Sequence, residues 1–158
     1  MSAPGGPLIV VGVDGSPAAY SALRWAVESA TRQHGTVRAV SIRRPDDFVP
    51  SDLLTPHDLG APERDTATTM RRLRELIEQA RSGITDPAEV TPTVTIGNPE
   101  TDLVNAAADA DLVVVGGHGK GPRAEVFLGD VAAATVRHAP CPVAIIPAPV
   151  PDRFPPRL

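Results

Sequence analysis

"VVVGGHGKGPRAEVFLGD", Val113 to Asp130, passes from a short β-branched run through a glycine-rich loop to the start of a predicted helix. A strand that ends in glycines just before a helix is the usual way to bring bare backbone N–H groups up to a phosphate. The last residue is at odds with that use, because Asp130 puts a negative charge where an anion would lie. A strand, loop and helix of this kind is half of a βαβ unit, so the rest of the chain decides whether it repeats.

It does repeat. "LIVVGV" (Leu8 to Val13), "VRAVSI" (Val37 to Ile42), "VTPTVTI" (Val90 to Ile96), "LVVV" (Leu112 to Val115) and "VAII" (Val143 to Ile146) are short and β-branched, and they read as five strands. Helical spacing lies between them, with Tyr20, Leu23, Val27 and Ala30 in one stretch and Met70, Leu73, Ile77 and Ala80 in the next. Shorter helices are predicted over "TDLVNAAADA" and "DVAAATVRHA". Ser16 caps the first helix and Pro17 suits its first turn. Strand and helix therefore alternate, which predicts a parallel sheet with helices on both faces, joined by right-handed crossovers. Trp25 falls opposite the Tyr20–Leu23–Val27 stripe, and the pattern leaves open whether it is covered.

Composition restricts the function classes. The chain has 158 residues, 42% of them apolar and 22% charged, as expected of one ordinary globular domain. A formal charge of −4 with no basic run argues against a nucleic-acid partner. "MSAPGGP" lacks the features of a signal peptide, and no apolar run approaches a membrane span, so a cytoplasmic protein without a membrane partner is expected. The single cysteine, Cys141, excludes an internal disulfide and a cysteine zinc cluster, and it reads as a small core hydrophobe. Residues 1–147 are expected to form the domain and the proline-rich 148–158 a tail. Between the second strand and second helix, "RRPDDFVPSDLLTPHDLGAPE" has four prolines and no periodicity, which reads as a loop or a lid.

In an open parallel sheet, ligands sit past the carboxyl ends of the strands where the order reverses. The first strand runs into Gly12, Val13, Asp14 and Gly15, the fourth into Gly116, Gly117, Gly119 and Gly121. If those strands are neighbours, a carboxylate and a glycine loop face each other across a crevice. The P-loop fails as a reading because Gly121 follows Lys120, and the dinucleotide fingerprint fails because Pro122 stands where glycine is needed. What remains is G-x-x-G-x9-G, at Gly116, Gly119 and Gly129.

That spacing, with "VGVDGSPAAYSALRWAVESA" before it and "CPVAIIP" after it, resembles the universal stress protein family from about Leu8 to Pro147. The resemblance implies an α/β fold with a single open five-stranded parallel sheet in the order 3-2-1-4-5, as in the adenine nucleotide alpha hydrolase-like folds. It also implies a homodimer and an adenine nucleotide, with ATP bound by many members. Carried over by motif, Asp14 lies at the adenine and ribose end, Ile42 holds the base through its backbone, and Val115 and Gly116 line the floor. Gly119 and Gly129 let the loop approach the phosphates, and Gly12, Val13 and Val131 are also assigned to the nucleotide site. Lys120 and Arg123 are placed to meet phosphate as mobile cations, and His118 reads as a solvated loop tip. ATP-binding members usually carry Ser or Thr after the last glycine, where this chain has Asp130. As an N-cap Asp130 starts its helix equally well, but it repels phosphate unless a cation, Mg²⁺ included, intervenes. The last strand is apolar on both faces and would lie at the sheet edge, so Val143 and Ile145 are the expected dimer contacts.

Each residue also has a plainer reading. Asp14 with Gly15 makes an ordinary Asx turn, and Gly116 and Gly119 suit a tight turn. The scattered histidines and the absence of a G-x-S-x-G elbow predict a binding module without dedicated catalysis, at most a slow ATP hydrolase. The alternative is a dimeric scaffold whose nucleotide site has degenerated.

Overall fold

The computed structural model describes residues 5–45, 61–117 and 128–148, with 61–65 as backbone only. The elements are β1 (Leu8–Gly12), α1 (Pro17–Arg32), β2 (Thr36–Arg43), α2 (Ala61–Arg81), β3 (Val90–Ile96), α3 (Pro99–Ala106), β4 (Leu112–Gly116), α4 (Asp130–His138) and β5 (Val143–Ile146). All five strands are parallel, in the order β3-β2-β1-β4-β5.

The continuous apolar runs have a direct cause. Ile9 and Val11 of β1 and Val114 of β4 join α1 and α2 in one core, while Val10, Val113 and Val115 join α3 and α4 in the other. A strand buried on both faces has no polar side to alternate with. Each fully buried Ile, Leu or Val contributes about 1.5–3 kcal/mol over its exposed state, and Ile9, Val10, Val11, Val113 and Val114 are all fully buried. On α1 the face turned to the sheet is mostly alanine (Ala19, Ala22, Ala26, Ala30), which lets the helix lie close. Trp25 is half-buried against that core, so it is partly covered.

Local signals start and stop α1. Ser16 Oγ accepts from Ala19 N at 3.2 Å and Pro17 opens the first turn. At the other end Gly35 N donates to Ala30 O at 2.8 Å and His34 N to Thr31 O at 3.4 Å, a Schellman pair. It places His34 at φ 55, where glycine is preferred. Gly35 cannot be exchanged, because a Cβ there would stand 2.2 Å from Pro7 O.

Two sequence readings of helix starts are corrected. Helix α3 begins at Pro99, not at Thr101, because Asn98 Oδ1 accepts from Glu100 N at 2.9 Å and Pro99 takes the first helical position. It ends at Ala106, so the last residues of "TDLVNAAADA" form a turn instead. Helix α4 begins with Asp130 as its first residue and Gly129 as its cap, so Asp130 is not the N-cap. Gly129 N is held by Gly117 O at 3.0 Å, which fixes the turn one residue earlier.

The two sheet edges differ. Gly97 N donates to Arg43 O and Val37 N to Glu89 O, so odd residues of β3 face β2 and the even ones face outward. Pro92 is therefore on the outer side, where it removes a donor and blunts the edge. On β5, Pro142 O and Ile146 O accept from Val113 N and Gly117 N. Val143 and Ile145 thus turn their main-chain groups to the open edge, and Ile145 is exposed.

Among the described residues, no helix is long and apolar enough to cross a membrane. The loop predicted over 43–63 is shorter at both ends, since Arg43 closes β2 and 61–63 open α2; residues 46–60 and the tail from 149 lie outside the described residues.

Candidate functional site

Parallel strands β1 and β4 are neighbours, in register Val11↔Val114, and their chains part at the carboxyl ends toward α1 and toward the glycine loop. This is the adjacency on which the predicted crevice depends, and several main-chain groups converge on the gap between the two strand ends. Val13 N donates to Val40 O at 2.9 Å, and the last β1–β2 pair is Gly12↔Val40. Even residues of β2 therefore face β1, and Ile42, one step further, directs its N–H and C=O past the end of that strand. Since β4 gives its odd residues to β5, the Gly116 carbonyl faces the same gap from the other side. The side chains of Ile42 and Val115 lie against the α3–α4 core, and Val13 is buried in the α1–α2 core, so these residues serve the crevice through their backbones.

Asp14 is exposed at the β1 tip, with Gly15 at φ 82 behind it. Its Oδ1 accepts from Ser16 N at 2.8 Å. The plain reading, an Asx turn, is thus present, and it also holds the carboxylate in one orientation with Oδ2 left for another partner. Ser16 contributes more than its cap, since its N–H fixes Asp14.

The glycines have particular reasons. A Cβ on Gly116 would stand 2.8 Å from Ala18 C and 2.9 Å from both Ala18 Cβ and Ala19 N, so glycine lets the first turn of α1 rest on the β4 tip. A Cβ on Gly12 would meet Leu103 Cδ2 at 3.0 Å, which makes Gly12 the seat for α3. Gly117, to which the sequence assigned no role, is buried and joins three elements: its N–H donates to Ile146 O at 2.8 Å and its C=O accepts from Gly129 N. The crevice therefore holds the β1, β2 and β4 tips and the start of α4, with Asp130 exposed and Val131 half-buried at that start. Gly119, Lys120 and Arg123, with His118, lie outside the described residues.

A rim on the α3 side was not foreseen. Arg44 Nη2 pairs with Glu100 Oε1 at 3.0 Å, linking the end of β2 to the first turn of α3. Both side chains are part-exposed, so the pair contributes little energy and mainly shapes the border. No periodic signal finds such a pair, since its members are 56 residues apart.

Chemistry at the opposite end of the sheet is unrelated. Cys141 precedes β5 there, and burial chiefly, then the nearby Asp111 charge, raises its thiol above the ordinary value, which makes it a poor nucleophile. The described histidines, His34 and His138, follow or end α1 and α4, also away from the crevice. Among the described residues, no three His, Cys, Asp or Glu side chains are grouped to hold a metal ion.

An open parallel sheet whose chain ends part at the switch point between β1 and β4 defines a doubly wound α/β domain. The family model described as "Universal stress protein family" matches residues 8–147, and the chain belongs to that family. It is 36% identical over 140 residues to universal stress protein Rv2028c of Mycobacterium tuberculosis, covering 89% of this chain and 48% of that one. The chain spans about half the length of the curated relatives it matches. Among solved structures, universal stress protein UspA from Lactobacillus plantarum superimposes with a TM-score of 0.74 at 24% identity, covering 91% and 99% of the two chains. A universal stress protein in complex with cAMP gives 0.63 at 24% identity, covering 92% and 99%. These likenesses show the fold.

Proposed function

We propose that the chain is a regulatory module that binds an adenine nucleotide, ATP or AMP, at the ends of β1 and β4. The observation that carries this reading is the convergence of the Asp14 carboxylate, the Ile42 main chain and the Gly116 carbonyl on one gap. A base needs a paired donor and acceptor, which Ile42 offers, and a ribose needs an acceptor for its hydroxyls, which Asp14 Oδ2 offers. The cAMP complex of a protein with this fold supports the choice of adenine. Val131 and Gly129 bound the phosphate end, and Gly119, Lys120 and Arg123 are assigned there by motif, with Mg²⁺ as a counter-ion. The module works in the cytoplasm as a homodimer joined along β5, and it has no dedicated catalysis beyond slow ATP hydrolysis at most.

The test is the nucleotide content of the protein as purified from cells. Denaturation followed by chromatography is expected to release adenine nucleotide in a substantial fraction of one equivalent per chain. Absence of nucleotide, together with no calorimetric heat on adding ATP, AMP or adenosine, would replace this reading with the second one. That second reading is a dimeric scaffold with an empty site, and the acidic residue at the start of α4 favours it.

A further inference from the structure

We infer that α4 carries part of the interface between two copies of this chain: Asp130 of each copy faces Arg137 of the other, and Val136 is covered between them. This rests on the homodimer along β5 proposed above and extends it to residues beyond that strand.

The open edge fixes how two copies meet. Val143 and Ile145 turn their main-chain groups outward, and the strand is four residues long. Its fullest pairing with itself is antiparallel, with Val143 opposite Ile145 of the second copy and the reverse, each pair exchanging two hydrogen bonds. The two-fold axis then passes beside Ala144, perpendicular to the sheet, and both α4 helices lie on the same face.

Height and distance set these helices side by side. Gly117 N donates to Ile146 O at 2.8 Å and Gly117 O accepts from Gly129 N at 3.0 Å, so the cap of α4 is level with the end of β5. From Gly129 to Ala134 the helix descends about 7.5 Å, and from Ile146 to Ala144 the strand descends about 6.6 Å. The middle of α4 is therefore level with the axis. Helix α4 packs over β4 and β5 alike. With strands about 4.8 Å apart, it runs about 5 Å from the two-fold, and the two copies of α4 stand about 10 Å apart, the spacing of packed helices.

The flank turned to that neighbour is apolar and uncovered. Val131 and Ala132 join the core shared with α3, whereas Val136 joins no core and is 53% exposed. Ile145, on the same face of β5 as Val143, is exposed as well, so the apolar surface continues from the strand edge onto the helix.

The charges on α4 complement a second copy of themselves. Antiparallel about Ala134, Val131 comes level with Arg137 of the second copy, so Asp130 and that arginine are about 1.5 Å out of level. Both side chains are exposed, and among the described residues neither forms an ion pair. Asp130 opens the helix and Arg137 lies in its last turn. Two-fold symmetry makes the contact twice, whereas a parallel pair would set like charges together. Exposed pairs add little affinity, so their effect is on which copies pair.

The experiment is sedimentation equilibrium on the wild type and on Asp130→Arg and Arg137→Glu, the two variants alone and mixed in equal amounts. Alone, each variant sets two like-charge contacts across the interface, and its dimer is expected to be at least about ten-fold weaker than that of the wild type. In the mixture both contacts are again of opposite charge, and the heterodimer is expected within about three-fold of the wild-type constant. A folding defect in either variant would not be relieved by mixing, since each chain keeps its own substitution. Variants that associate as the wild type does, or a mixture that associates no better than its components, overturn the inference and leave the β5 dimer standing. A wild type that sediments as a monomer, or that stays dimeric after Val143→Asp with Ile145→Asp, refutes the homodimer along β5 itself, and the inference falls with it.

Discussion

Gly116→Ala and Gly117→Ala change neighbouring residues in the same way, yet the structure predicts different costs. At Gly116 the new methyl group would stand 2.8–2.9 Å from Ala18 C, Ala18 Cβ and Ala19 N, which are backbone and near-backbone atoms in the first turn of a packed helix. They yield only if α1 moves as a body. Overpacking of this kind costs about 1–3 kcal/mol, offset by about 0.4–1 kcal/mol from the stiffer unfolded chain. A net loss of about 1–2 kcal/mol is expected, or about 2–8 °C in Tm for a chain of this size. At Gly117 the nearest atom among the described residues is Ile145 Cγ2 at 3.4 Å, an ordinary contact with a side chain that is itself exposed. There the two effects should nearly cancel, within about 0.5 kcal/mol. Urea unfolding followed by circular dichroism, with the m-value checked for constancy, measures both. If Gly116→Ala costs no more than Gly117→Ala, α1 does not rest on the β4 tip as described, and the crevice is built differently.

Asp14→Ala removes both the acceptor for Ser16 N and the proposed ribose contact, so it should lower stability by about 0.5–1.5 kcal/mol and nucleotide affinity by about ten-fold or more. Asp14→Asn keeps the turn, and a variant as stable as wild type but weaker in calorimetric titration would assign the loss to the ligand; unchanged affinity in both removes Asp14 from the site. His34→Gly should stabilise the fold by about 0.5–1 kcal/mol, since glycine adopts φ 55 without strain; thermal unfolding showing no gain would refute the strain. Val143→Asp with Ile145→Asp should shift sedimentation from dimer to monomer or to aggregate, because those residues face the open edge of β5. A wild type that sediments as a monomer at micromolar concentration would end the dimer proposal.

Sequence alone determined the features that depend on neighbours along the chain. The five strands, the alternation with helices, the Ser16–Pro17 start of α1 and the Asp14–Gly15–Ser16 turn were all legible, because periodicity and capping act within about four residues. The Asn98–Pro99 start of α3 obeys the same local rule, with Asn98 Oδ1 accepting from Glu100 N. The adjacency of β1 and β4, on which the site depends, was available from sequence only as a condition or through family resemblance. Tertiary structure decided it, together with everything that rests on approach between distant segments. Trp25 is covered in part because α1 packs on the sheet. Arg38 reaches Asp109, 71 residues away, and the Ala106 carbonyl, closing the end of α3. Pro92 proves harmless in its strand because its missing N–H faces outward. Gly116 is required by a helix turn about 100 residues earlier in the chain. The cap of α4 moved by one residue for the same reason: Asp130 has the better capping side chain, but the bond from Gly129 N to Gly117 O fixed the turn first, and Asp130 is the first helical residue instead.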